Sequence, residues 1–330
     1  MLPLFAGGGP CDPLMILLAA LLLDALIGDP PALWRLIPHP VALIGAVVEA
    51  LERKLNRTHR SGADRRIRGA LVAVALVAAS VGLGLVVTEL RRRWSGGWVV
   101  ELLLAWSLLA QRSLFDHVRA VGRALRKHGL GAGRQAVARI VGRDPDSLDA
   151  FGVARAAIES CAESFADGVV APVFWYGLFG MPGLLAMKTV NTMDSMIGHP
   201  EEPLRNFGMV AARLDDAMNF IPARLSGLLL AIAALFVPGG RPFAALGVMW
   251  RHHGRHASPN SGWPEAAMAG GLGLALAGPR RYGGEMVAGP WIGDGRARAT
   301  PADIAASLYM LSTACLLTWG LIVLLVVAQS

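Results

Sequence analysis

The chain has 330 residues, 54% of them hydrophobic and 17% charged, with a mean hydropathy of +0.48. That is too apolar for an ordinary soluble domain and points to an integral membrane protein. The net charge of +7 would suit nucleic acid, but the basic residues lie between hydrophobic runs and no nucleic-acid motif accompanies them. Membrane topology and anionic lipid explain that distribution, so no nucleic-acid partner is expected.

In chain order, the first apolar run, Pro13 to Gly28, lacks a basic leader and a small-residue cleavage site. It is expected to stay in place as a membrane segment rather than be removed. Its core, Leu14 to Ile27, carries Asp24. Asp29 to Arg68 follows, rich in Arg and Lys. Gly69 to Thr88 is about twenty uncharged residues, enough to cross ~30 Å of hydrocarbon at ~1.5 Å per residue. Trp98 to Leu109 contains Glu101, and Arg112 to Arg155 is again basic. The positive-inside rule puts both basic segments on the cytoplasmic side and makes Gly69–Thr88 and Trp98–Leu109 a hairpin. Arg91, Arg92 and Arg93 at the hairpin tip stand against that assignment.

Gly129 to Asp149 reads as a soluble helical region with a DPDS turn, in which Asp146 is expected to cap the next helix. Val169 to Met187 carries two prolines and three glycines, and Phe220 to Val237 carries Arg224. Both are expected to be re-entrant or packed against protein. Gly239 to Pro301 is Gly/Pro-rich and basic, and should fold over the membrane domain, while Ala305 to Ala328 is a second uncharged span. Cys11, Cys161 and Cys315 are odd in number and far apart, and read as small core residues rather than a disulfide framework. No repeat and no β-alternation is evident. The expected fold is all-α: a polytopic membrane protein with re-entrant or interfacial helices and a cytoplasmic elaboration. It would form one membrane-embedded domain over 1–330, with soluble-facing segments at about 29–68, 112–168 and 239–301.

Four polar stretches interrupt this apolar background. In AMKTVNTMDSMIGHP, helical spacing puts Lys188, Asn191, Thr192 and Ser195 on one face with Asp194 at its edge, opposite Val190, Met193, Met196 and Ile197. An interfacial helix with its polar side in water would show this pattern, and so would a helix facing a functional cavity. In ARAAIESCAESFADG, Arg155, Glu159, Glu163 and Asp167 recur every four residues. Aligned carboxylates repel, and Mg²⁺ would offset the repulsion; a solvated face with an Arg155–Glu159 surface pair is the alternative. In RLDDAMNFIPARL, Asp215 and Asp216 point about 100° apart, so one could hold a metal while the other pairs with Arg213 or Arg224. In ASPNSGWPEAAMAGGLG, Ser258 to Gly262 form a turn before Pro264 at an expected first helical position. Glu265 there suits the helix dipole, and the helix start suits an anion. Asp24, Asp29, His39 and Asp294 each read alone as turn or cap residues, and His252, His253 and His256 as a basic surface.

Together these stretches resemble the adenosylcobinamide-phosphate synthase family of cobalamin biosynthesis, CobD/CbiB. The resemblance runs from about Leu21 to Leu308 and adds LLLDALIGDP, PHPVALIG, IGDG and the Asp303-Ile304 pair to the stretches above. Glu163-Ser164-Phe165-Ala166-Asp167 stands where the family has Glu-Asn-Thr-Val-Asp, and Leu204 where it has tyrosine. The resemblance implies a multi-pass inner-membrane ligase whose active site faces the cytoplasm. Such an enzyme uses ATP and Mg²⁺ to join adenosylcobyric acid to an aminopropanol phosphate or related amino-alcohol phosphate. The carboxylate must be activated, most simply as an acyl phosphate, and positioning with charge neutralisation does most of that work.

On this reading Glu159, Glu163, Asp167, Asp194, Asp215 and Asp216 form the pool of metal ligands. Lys188, Arg213 and Arg224 hold phosphate, and Asn191, Ser258 and Asn260 orient substrates beside Glu265. Asp294 or His39 takes the proton from the attacking amine. The bilayer, the corrinoid and the amino-alcohol phosphate are the expected partners, with homo-oligomerisation left open. A transporter or channel with a buried polar site is the rival reading. A membrane prenyltransferase lacks its second aspartate motif here.

Overall fold

The structure is a computed structural model that describes residues 12–141, 144–282, 285–287 and 289–329; Cys11 falls outside them. Its helices begin where short polar residues can satisfy the free N–H groups of a first turn. Asp12 accepts from the Leu14 N–H at 2.8 Å and Pro13 opens α1, Pro13–Ile27. His39 Nδ1 accepts from the Val41 N–H at 3.2 Å and starts α3, Pro40–Leu55, after the short α2, Pro31–Leu36. Ser61 caps the 32-residue α4, Gly62–Arg93. Then come α5, Gly97–Ser107, and α6, Gln111–Val137. The cap expected at Asp146 lies elsewhere. Asp144 caps a 3₁₀ turn at Pro145–Ser147, and Asp149 caps α7, Ala150–Phe165, accepting from the Gly152 N–H at 2.6 Å.

Among the described residues four stretches are long and apolar enough to cross a membrane by length and composition: Gly62–Arg93, Gly97–Val137, Met209–Ala233 and Pro301–Gln329. They contain the uncharged runs Gly69–Thr88 and Ala305–Ala328, and the protein is an all-α polytopic membrane protein. The chain divides into two compact units. One holds the described residues of Met1–Ala110, Ala171–Asn219 and Ile322–Ser330, the other those of Gln111–Val170 and Phe220–Leu321.

In the first unit, Val169–Met187 is not one helix. After the π-helical turn Ala166–Val170 come α8, Ala171–Phe179, and α9, Met181–Ile197, broken at Gly180 with φ 67°. Nine residues of α8 rise only ~14 Å, too little to cross a bilayer. α9 packs along α4, and two glycines of α4 admit backbone closely, Gly84 that of α9 and Gly69 that of the turn before α10. A Cβ on Gly69 would lie 1.8 Å from the Phe207 carbonyl oxygen, and one on Gly84 2.4 Å from Pro182 Cα. Midway, the hydroxyls of Ser80 and Thr189 are 2.6 Å apart. Because backbone rather than a pliable side chain blocks each notch, Gly84→Leu is expected to cost at least the ~1–3 kcal/mol of overpacking and to lower the thermal midpoint in detergent. Gly82→Ala, whose Cβ meets nothing within 4 Å, should leave it unchanged.

Of the two alternatives for Phe220–Val237, packing against protein is the one met, with Ala223, Leu230 and Ala233 buried in the core. The segment lies mostly in one continuous helix, α10, Met209–Ala233, with Pro222 inside it. A helix-internal proline strips the carbonyl four residues back of its partner. Here that carbonyl, on Met218, accepts instead from the indole N–H of Trp175 at 3.0 Å, so the helix runs through.

The second unit packs α6 on α7, and α11, Pro242–His252, on α12, Gly262–Leu272. α12 starts at Gly262, so Pro264 is its third residue rather than its first. The lost N–H is harmless there, because the first turn has no intrahelical acceptor. Gly270 permits close approach, since a Cβ there would sit 2.5 Å from the Ala244 carbonyl oxygen. Two ladders too short to show alternation in sequence follow. Leu276–Ala277 pairs with Trp291–Ile292, and Arg280–Tyr282 with Glu285–Val287. The last helix is α13, Pro301–Gln329. Cys161 and Cys315 are buried, as small core residues are expected to be.

Candidate active site

In the first unit, α9 is not an interfacial helix with a wet face. Lys188 is 9% exposed and Thr192 is buried too, while Asn191 and Asp194 are half-buried. The carboxylate of Asp215, on α10, is an electrostatic neighbour of Asp194 and lies within reach of the Asn191 amide. Its Oδ2 accepts from Asn219 Nδ2 at 3.0 Å, while Asp215 Oδ1 and Asn219 Oδ1 are buried without a hydrogen bond of normal geometry. Asp216 points the other way, as adjacent helical residues must. It lies 3.8 Å from Arg213, whose side chain is 80% exposed. His39 is spent locally. Besides capping α3 it sits 3.7 Å from Asp29 and edge-on to Trp34.

Sequence reasoning missed one buried network in this unit. Arg91 Nε lies 2.8 Å from Glu101 Oε2, a charge contact off the ideal hydrogen-bond line, and Tyr176 donates to Glu101 Oε1 at 2.7 Å. Arg93 pairs with Glu89. Two of the three arginines that stood against the hairpin are therefore countered by carboxylates. Glu101 inside an apolar run was the available signal.

In the second unit the fourth stretch folds into a knot of polar contacts. Ser258 Oγ accepts from the N–H groups of Asn260 at 3.2 Å and Ser261 at 3.4 Å, and the Ser258 N–H donates to His256 Nδ1 at 3.0 Å. Ser261 Oγ donates to Glu163 Oε1 at 2.8 Å. Arg224 donates to Asn260 Oδ1 at 2.9 Å and lies between two rings, 3.6 Å from the Phe220 centroid and 4.7 Å from that of Trp263. His253 stacks on Trp263 at 3.9 Å, and burial followed by the Arg224 charge pushes its pKa below the usual histidine range. His256 reaches to 3.6 Å from the buried Glu265. These histidines are not a basic surface. His252 is buried as well, accepting from the Gly293 N–H at 2.9 Å.

The four-residue stripe on α7 is not a solvated face. Glu159 is 3% exposed and accepts from the Ala277 N–H at 2.8 Å, and Arg155 donates to the Ala297 carbonyl at 2.6 Å. Asp167 falls in the π-helical turn Ala166–Val170 and is half-buried. Asp294 is on the surface, bound by Arg251 at 2.7 Å, and that hydrogen bond holds its carboxyl below the usual range.

A family model described as CobD/Cbib protein matches residues 17–311. The chain belongs to this family. It is 49% identical to a cobalamin biosynthesis protein CobD of Brucella anthropi over 316 residues, covering 94% of this chain and 96% of that protein. The CobD of Brucella suis biovar 1 is 50% identical over 315 residues, with the same two coverages. That of Rhodobacter capsulatus is 44% identical over 297, covering 89% of this chain and 91% of the other. No solved structure matches.

In this CobD/Cbib chain the six residues of the metal pool divide between units: Glu159, Glu163 and Asp167 in one, Asp194, Asp215 and Asp216 in the other. Among the described residues no three His, Cys, Asp or Glu side chains group as a metal site. Asp194 and Asp215 nevertheless fit Mg²⁺, which is commonly held by one or two carboxylates with substrate phosphates and water completing its shell. The unbonded oxygens of Asp215 and Asn219 are hard donors of the right kind. Glu159 fits less well, being committed to a backbone N–H. The Arg224 knot offers a half-buried planar cation beside hydroxyl and amide groups, the chemistry that grips phosphate.

Proposed function

We propose that this protein is the ATP-dependent ligase of a cobalamin pathway that joins adenosylcobyric acid to an aminopropanol phosphate, or a related amino-alcohol phosphate. The product is adenosylcobinamide phosphate. Near-complete alignment with proteins named for cobalamin biosynthesis supports the pathway. One observation carries the chemistry: Glu163, Arg224 and the Ser258–Ser261 turn, far apart in sequence, are joined by direct hydrogen bonds around a cation sandwiched by aromatic rings.

Arg224 binds a phosphate, with Ser258 and Asn260 orienting it and Glu163 fixing the turn through Ser261. Asp194 and Asp215 would hold Mg²⁺, which when bound neutralises phosphate charge. In the same unit as that pair, Asn191 positions it and the buried Lys188 supplies a cation. Arg213 stays an outer phosphate contact and Asp216 its partner. His256 and Glu265 buttress the turn. The amine nitrogen attacks the activated carboxyl carbon, loses a proton to a nearby base and expels the activating group. Asp294 and His39 are the proton acceptors that the family resemblance suggests, and both would first have to leave their present partners.

Purified protein should consume ATP only when both the corrinoid acid and the amino-alcohol phosphate are present, with product identified by mass spectrometry. ATP turnover without either substrate, or none with both, would sink the assignment. Asp215→Asn is expected to lower turnover roughly 10–100-fold and to raise the Mg²⁺ concentration needed for half-maximal rate, while the helical signal persists.

A further inference from the structure

We propose that the groove between α6 and α13 binds an anionic phospholipid. α6 presents Arg119, Arg123, Arg126 and Lys127 as one exposed stripe at three- and four-residue spacing. Facing them, the first turns of α13 present Ile304, Ala305, Leu308 and Tyr309. The two walls enclose about 690 Å³, and no carboxylate lines the space. Gly122 brings the helices together at its floor, where a Cβ would lie 3.2 Å from Ile304 Cγ2. Asp116, the acid on α6 nearest the stripe, is held by Arg112 at 2.8 Å, and Asp303 by Arg296 and Thr300. The stripe therefore keeps its charge.

One wall suits phosphate oxygens, the other hydrocarbon, and a phospholipid carries both on one molecule. The apolar wall continues beyond the groove: Ala305, Tyr309, Ser312 and Leu316 share a helix face, and Leu316 is 62% exposed. A small free anion has no use for that strip, whereas an acyl chain does. Depth agrees as well. The 29 residues of α13 rise about 44 Å, more than the ~30 Å of hydrocarbon, so its first turns reach headgroup level when the remainder spans.

The test uses the full-length protein in neutral detergent, with bound lipid counted by native mass spectrometry. Wild type should retain phosphatidylglycerol at a roughly ten-fold lower lipid concentration than phosphatidylcholine. R119Q/R123Q/R126Q/K127Q should abolish that preference. A305W, which fills the groove and keeps every cation, should abolish it too. R53Q/R57Q, at exposed arginines elsewhere, should not. Equal retention of the two lipids by wild type would overturn the proposal, as would an unchanged preference in A305W if the four-cation variant fails to fold. Full displacement of phosphatidylglycerol by inorganic phosphate would also overturn it, marking a site for free anions instead.

Discussion

Arg224→Lys is expected to lower kcat/KM for the ligation roughly 10²–10³-fold, the loss typical when one preorganised electrostatic contact is removed. The substitution keeps the charge. It removes the planar face that lies between the Phe220 and Trp263 rings and the N–H fork that reaches Asn260. A lysine ammonium is a compact, strongly hydrated ion and replaces neither. Steady-state kinetics with each substrate varied would locate the loss, and it should fall on the phosphate-bearing substrate. Wild-type turnover in the lysine variant would remove Arg224 from the site. A parallel Asn260→Ala variant should show a smaller loss in the same direction, because it takes away one hydrogen bond and leaves the aromatic sandwich.

Glu101→Gln should produce the largest loss of stability among single changes in the first unit. Glu101 is 1% exposed, and its removal as a charge takes from the half-buried Arg91 guanidinium the carboxylate 2.8 Å away. Breaking such a pair from one side typically costs ~3–5 kcal/mol. Glutamine still accepts from the Tyr176 hydroxyl, so the measurement isolates the charge. The combined Arg91→Met and Glu101→Leu variant should regain most of the thermal midpoint, since an apolar pair of similar volume leaves no stranded ion. If the single variant melts within a degree or two of wild type, the pair is solvated and the account of the arginine-rich tip fails.

The spans were legible in the sequence where a physical requirement left one solution. Gly69–Thr88 and Ala305–Ala328 are uncharged runs of bilayer length, and each lies inside a long helix. The helix caps were less legible, because DPDSLD offers three aspartates and only Asp149 stands one residue before a helix. Pro222 inside α10 was opaque. The group that rescues its helix, the Trp175 indole, lies 43 positions from Met218 and nothing local announces it. For the site, the polar stretches were readable as unusual residues in apolar sequence. Their partners were not: Ser261 with Glu163 and Asn260 with Arg224 are choices made by tertiary packing. Asp215 beside Asp194 is another such choice. The lipid-facing stripe on α6 looked like ordinary cytoplasmic charge until α13 supplied its opposite wall.

α4 also works as a depth gauge. Arginines bracket its uncharged stretch, Arg65, Arg66 and Arg68 below and Arg91 to Arg93 above, so sliding it along the bilayer normal would drag a guanidinium toward hydrocarbon. The Ser80–Thr189 contact falls near the midpoint of that stretch, which anchors Lys188, the residue next to Thr189, at the middle of the membrane's thickness.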